Sequence, residues 1–349
     1  GRARAARAVD RSRAGGNAHH SRRLRSAIVF AVVLSVLAGT IVLAVPGLRT
    51  VADRLEHVDA WWIALAVSLE LASCVGYVII FRLVFSDTPR RVATRVAWAE
   101  MAFGAVVPVG GAGGIGLGAW MLHQRDEPLQ RIADQSAVLF WATSAVNLAA
   151  LILAGFCLGL RIVPGPHEQL LTTAPAVGCV LVLVGFVALP AAVRRVTGRG
   201  RLRALARATG ATVTKTEVLL GDGSWRLLGA IAYLCCDIAV LWVSFRAFGH
   251  PPPAAALVLA YLIGYLSNMI PIPIPGGIGV LDTGLLGALV LYGSPAAPAA
   301  AAVLLYHTIA LWLPTAGGTL AFLRARRDLI PAADDVGGVP AADRCDHGS

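Results

Sequence analysis

The chain has 349 residues, 57% of them hydrophobic and 14% charged, where a soluble globular domain carries roughly 25% charged positions. Its 30 Lys+Arg against 20 Asp+Glu leave a formal net charge of +10, but a mean hydropathy of +0.70 excludes a disordered basic arm as the explanation. What remains is a lipid-embedded chain with its cations between apolar blocks, and nucleic acid is not an expected partner.

Taken in order, residues 1–26 hold eight arginines and read as a basic tail without fixed structure. The apolar run over 27–45 is longer than the roughly 7–15 residues of a signal-peptide core, so it reads as a retained anchor. Further runs long enough to span a hydrocarbon layer of about 30 Å as helices cover 61–81, 132–160, 174–193, 226–248 and 296–323. Two more hydrophobic regions are interrupted. Residues 96–122 contain Pro108, Gly110, Gly111, Gly113, Gly114 and Gly116; residues 254–292 contain Pro271, Pro273, Pro275, Gly276, Gly277 and Gly279. Proline removes a helix donor and glycine permits positive φ, so a helix break is expected over each motif. Between 194 and 226 lies an Arg-rich stretch suited to an anionic lipid surface. Residues 328–349 form a polar tail. Six cysteines fall in no CxxC or Cys/His spacing, so they read as small buried hydrophobes, with no disulfide framework, metal site or cofactor expected.

Basic residues in short loops favour the cytoplasm. If each broken region enters and leaves on one side, 26 of the 30 Lys+Arg fall on the cytoplasmic side and four, Arg49, Arg54, Arg161 and Arg246, on the other. A single crossing at 96–122 would instead export the eight cations of 194–226. The first broken region reads as re-entrant, because its flanks of 10–12 apolar residues reach only about 15–18 Å as helix; residues 254–270 are just long enough to span. The expected fold is therefore an all-α polytopic membrane protein with both termini cytoplasmic, six full spans and two Gly/Pro-broken re-entrant hairpins. Residues 27–160 and 174–323 form two halves of inverted topology within a membrane domain of 27–327. Inverted repeats with discontinuous helices place transport sites near the bilayer midplane.

The run Ile274 to Asp282, followed by a small-residue helix and a last span ending in Arg324, Arg326 and Arg327, resembles the C-terminal signature of the lysylphosphatidylglycerol synthase transmembrane-domain family. The stretch Pro108 to Trp120 resembles its first glycine-rich motif, with Ile115 and Gly118 where the family often has an acidic residue and an Arg. The resemblance covers roughly residues 25–327. It implies the flippase-like membrane part of proteins that make or move aminoacylated phosphatidylglycerol. Only some 22 residues follow Arg327, so synthase activity by this chain alone is not expected.

Ionisable groups at membrane depth usually face a protein interior or a watery cavity. Glu70 and Asp237 sit mid-span in corresponding segments, Glu100 enters the first hairpin, Asp282 follows the second break, and His307 lies in the last span. Asp282, which matches an acidic position of the resembled family, suits the cationic part of a headgroup or a proton relay; the alternative is a helix cap. Glu100 has Arg95 and His123 as alternative ion-pair partners. Asn268 and Ser267 precede the second break. Gly113, Gly114, Gly276, Gly277 and Gly279 frame half-helices beginning after Gly114 and Gly279, whose free N–H groups suit a phosphate. Gly111, Gly113 and Gly116 also spell GxGxxG, but apolar helical flanks exclude the dinucleotide reading. The expected partner is an anionic phospholipid or lipid-linked headgroup, moved or presented at the cytoplasmic membrane. The rival readings are a scaffold recruiting a soluble lipid-modifying enzyme and an embedded enzyme acting on such a lipid.

Overall fold

A computed structural model describes residues 59–106, 112–165, 169–195, 201–249, 251–267 and 280–329, so the 27–45 anchor and both tails lie outside the described residues. Among those described, ten α-helices and no strand are found: α1 Ala60–Val84, α2 Arg90–Val106, α3 Ala112–His123, α4 Leu129–Gly159, α5 Gln169–Arg195, α6 Arg201–Gly221, α7 Leu228–Phe248, α8 Ala254–Ser267, α9 Val280–Leu291 and α10 Ala296–Leu329. A 3₁₀ turn, Trp225–Leu227, leads into α7. Five helices are long and apolar enough to cross a membrane: α1, α4, α5, α7 with its leading turn, and α10. They answer to the five apolar runs beyond the anchor. In lipid, every backbone donor and acceptor must be met within the segment, which is why these runs become helices.

Helix α1 pairs with α7 around two glycines. A Cβ on Gly76 would stand 2.7 Å from the Gly229 carbonyl oxygen, and one on Gly229 would stand 2.7 Å from that of Gly76. Without a hydrophobic drive between helices in lipid, such close backbone approach supplies the dispersion contact that holds them. Ser73 Oγ adds a hydrogen bond to the Tyr233 carbonyl at 2.9 Å, and the Tyr77 and Tyr233 rings meet at 5.3 Å. Helix α2 packs on α10, and α8 packs on α4. The short helices form two packed pairs, α2 with α3 and α8 with α9. In the first pair Gly114 lies against Gly104 and Glu100, and Gly118 against Glu100, so the two legs run antiparallel.

Helix α3 starts at Ala112, which corrects the expected break over 108–116. Gly113 to Gly118 are helical, and at Gly114 and Gly118 the approach of Glu100 on α2 leaves no room for a side chain. The rest of the first break, residues 107–111, lies outside the described residues, as does the whole second break with Asn268, Gly276, Gly277 and Gly279.

At 31 residues, α4 is about 46 Å long, more than the hydrocarbon layer requires. Its first turns are polar and clamp other segments: Arg131 bonds Asp87 and also reaches Glu127 at 3.6 Å, and Asp134 receives Lys215 Nζ of α6 at 2.9 Å. The Arg-rich 194–226 stretch is thus largely a helix docked on α4 and α5, with Val213 and Thr216 fully buried and Val218 exposed. At the other end of α4, the Tyr292 hydroxyl that closes α9 donates to the Leu171 carbonyl at the start of α5, at 3.0 Å. Helix α5 buries only 17% of its apolar window; such an apolar surface is a liability in water and ordinary against lipid.

Candidate functional site

Seven helices, α1, α2, α3, α4, α7, α8 and α10, enclose one cavity of about 280 Å³. Three of the carboxylates singled out from sequence line it: Glu70 from α1, Glu100 from α2 and Asp237 from α7. Glu70 and Asp237 each fall near the middle of a spanning helix, so the cavity lies at membrane depth. The α1–α7 crossing brings the two together, close enough for each charge to act on the other. Asp237 Oδ2 accepts hydrogen bonds from two hydroxyls, Tyr261 and Tyr306 at 3.3 Å. Glu70 Oε1 receives only the weak S–H of Cys74, with sulfur 3.8 Å away. The remaining oxygens, Glu70 Oε2 and Asp237 Oδ1, are buried with no hydrogen-bond partner among the described residues.

Glu100 is 6% exposed. It lies beneath α3, its Oε2 3.0 Å from where a Cβ on Gly118 would stand, and its carbonyl oxygen 2.5 Å from one on Gly114. The glycines let α3 ride directly over this carboxylate. The Tyr77 hydroxyl lies at the same carboxyl. Of the two ion-pair partners expected for Glu100, His123 is turned away, its Nδ1 3.4 Å from the Glu127 carbonyl.

Asp282 occupies the first turn of α9, and its Oδ1 is 3.0 Å from His307 Nδ1. His307 lines the cavity, while its buried Nε2 lacks a partner among the described residues. Asp282 therefore bears on the cavity through His307 and is not itself a lining residue. Gly114 lines the cavity and Gly113 does not. The phosphate reading of a half-helix starting after Gly114 is corrected: the helix already includes Ala112, three residues before Ile115, and Gly114 is spent on packing against Glu100. The corresponding start after Gly279 falls at the second break, outside the described residues, which resume within α9 at Val280.

The cavity holds residues that the sequence reading passed over. Five of the six tyrosines, Tyr77, Tyr233, Tyr261, Tyr265 and Tyr306, line it. A signal was present: Tyr233 precedes Asp237 by one helical turn, Tyr261 and Tyr265 share a face of α8, and Tyr306 adjoins His307. Pro314 and Ala310 are neighbours on the same wall. Proline has no N–H, so the Ala310 carbonyl loses its usual helical donor. Cys74 is in the lining and buried, but Cys235 is exposed, against the expectation that the cysteines are uniformly buried.

No Lys or Arg lines the cavity among the described residues, and no group of three His, Cys, Asp or Glu side chains is arranged there to hold a metal ion. Ile115, Ser136 and Phe140 are shared with an adjoining groove between α3 and α4, otherwise walled by Ala119, Ile132, Ala133 and Trp141 among others. The polar chamber thus adjoins an apolar slot.

No curated protein of known function matches the sequence. The family model described as the lysylphosphatidylglycerol synthase TM region matches residues 28–318, a stretch that holds every cavity-lining residue and most of the chain. This multi-pass helical membrane protein belongs to the lysylphosphatidylglycerol synthase TM-region family.

Proposed function

We propose that the chain carries a phospholipid or lipid-linked headgroup across the cytoplasmic membrane, or presents it at one leaflet, and is a carrier rather than an enzyme. The observation that carries this reading is the acidic, tyrosine-lined cavity at mid-helix depth, adjoined by an apolar slot between α3 and α4. A headgroup needs polar partners inside the bilayer, whereas its acyl chains are already at home in lipid. A chamber of this size takes a small headgroup, and the slot leaves the chains outside.

An inverted repeat with two re-entrant hairpins accounts for the packing. Exchanging α1 with α7, α2 with α8, α3 with α9 and α4 with α10 carries each substantial contact among these eight helices onto another: α2–α10 onto α8–α4, α1–α2 onto α7–α8, α3–α4 onto α9–α10, and α1–α7 onto itself. The base of the first hairpin is tied by Arg131 and Asp87 to the start of α4. The base of the second is tied by Tyr292 to Leu171, just beyond its end. Both ties favour entry from opposite faces, as alternating access requires. The cations of α6 and of the basic loops favour a cytoplasmic side for the face that carries them, and both termini belong to that side in the topology proposed. An anionic phospholipid surface and a soluble lipid-modifying enzyme are the partners proposed for that face.

The test is reconstitution of the purified chain in vesicles containing phosphatidylglycerol or phosphatidylethanolamine labelled on an acyl chain. Dithionite bleaching beyond the outer-leaflet half is expected, at a rate that depends on protein. Bleaching that stops at one half in every vesicle would remove the carrier reading and leave the fold untouched.

A further inference from the structure

We propose that Glu70 and Asp237 form a proton-binding site, one proton shared by two carboxyls, whose occupancy drives the headgroup's movement; this rests on the carrier reading above. Glu70 is 4% exposed, and one of its oxygens faces the cavity region with no partner among the described residues. Asp237 is equipped as an anion by two tyrosine hydroxyls. Glu70 has the weak Cys74 thiol as its donor, lies at the Asp237 carboxyl, and is the member equipped to take the proton.

The groups facing the pair supply no compensating cation. Helix α1 adds Cys74 and Tyr77, α7 adds Tyr233, and α2 adds Glu100; α8 brings Tyr261 and Tyr265, and α10 brings Tyr306 and His307. Helix α4 offers no titratable group to the lining, and His307 is engaged by Asp282. Two like charges side by side in a low dielectric are costly, so the empty pair holds one proton. When the cavity opens to one side, the Glu70 O–H bond breaks and the proton passes to water. The pair then carries two negative charges and holds the cationic part of a headgroup. Protonation from the opposite side neutralises Glu70 and releases the headgroup. Proton and headgroup thus exchange one for one, in opposite directions.

The experiment uses the full chain in vesicles with phosphatidylethanolamine labelled on an acyl chain, and reads the steady-state leaflet ratio against an imposed pH difference. For one proton per lipid, a difference of one pH unit sets a leaflet ratio of about tenfold, while E70Q and D237N vesicles show equal leaflets. Wild-type protein that moves lipid but leaves the leaflets equal at every pH difference, or responds to a sodium gradient instead, overturns the proton site and spares the carrier reading. If wild-type protein moves no lipid, the carrier reading fails by itself. The site is then judged by the infrared difference between wild type and E70Q, where a protonated-carboxyl band is expected and its absence overturns the assignment. Should E70Q not fold, Y261F removes a donor from the anionic partner and is expected to move the pH midpoint of the translocation rate, measured at equal pH on both sides, upward; an unmoved midpoint counts against the site.

Discussion

The two helix pairs, α2 with α3 and α8 with α9, are built alike and equipped differently. In the first, the acidic group sits in the long leg, Glu100, and the short leg is stripped of side chains at Gly114 and Gly118 to lie over it. In the second, the acidic group sits in the short leg, Asp282, and reaches the cavity through His307 of α10. The two pairs thus share a mode of packing and differ in where the carboxylate sits. One pair lines the cavity with a buried carboxylate directly, and the other sets a carboxylate behind the cavity-lining imidazole of His307.

The largest expected effect comes from destroying the close approach in the first pair. G114V places branched carbon against the Glu100 backbone, and overpacking of this kind costs about 1–3 kcal/mol or more. We expect a lowered thermal midpoint in detergent and loss of lipid movement together; the analogous substitution G287V, where nothing lies within 4 Å of a Cβ, is expected to leave the midpoint nearly unchanged. Equal losses from both would show that the glycines, and not their positions, matter.

Next in size is the loss of the Asp237 acceptor. D237A strands two buried tyrosine hydroxyls, each at about 1–3 kcal/mol, and abolishes translocation in the reconstituted assay. The double change Y261F/Y306F, which leaves Asp237 but removes its donors, is expected to slow movement less than D237A does. A third, smaller effect tests the other pair: D282N keeps the shape of the first turn of α9 and is expected to slow translocation severalfold with little change in melting. Wild-type speed in D282N would confine function to the first pair and the α1–α7 carboxyls.

The sequence was most informative where lipid physics leaves no choice. The spanning runs were visible because a backbone in hydrocarbon has to close its own hydrogen bonds, and the pairing of Glu70 with Asp237 followed from their equivalent depth. The start of α3 was not visible. Glycine is a poor helix former in isolation, and only the nearness of Glu100 shows why Gly114 and Gly118 carry no side chain within α3. The tyrosines were hidden for a related reason: within an apolar run a tyrosine reads as core, and nothing in the run says that Tyr261 and Tyr306, 45 positions apart in sequence, bond the same carboxylate oxygen. Likewise, the 194–226 charges announced a membrane side, but not that α6 docks with Val213 and Thr216 buried and Lys215 meeting Asp134 across 81 residues.

The smallest expected effect is at that rim. K215A removes an exposed ion pair worth about 0–1 kcal/mol and is expected to change neither melting beyond that nor translocation in neutral-lipid vesicles. A large loss would assign α6 a role in the transport cycle and not merely in docking.

The measurement closest to the central claim asks from which side each helix pair enters. In a cysteine-free background, Gln124→Cys, at the base of the first pair, and Ala297→Cys, at the base of the second, are exposed to a membrane-impermeant maleimide in right-side-out and inverted vesicles. Entry from opposite faces predicts that Gln124→Cys is labelled in only one vesicle type and Ala297→Cys only in the other. Labelling of both from the same face would contradict the account.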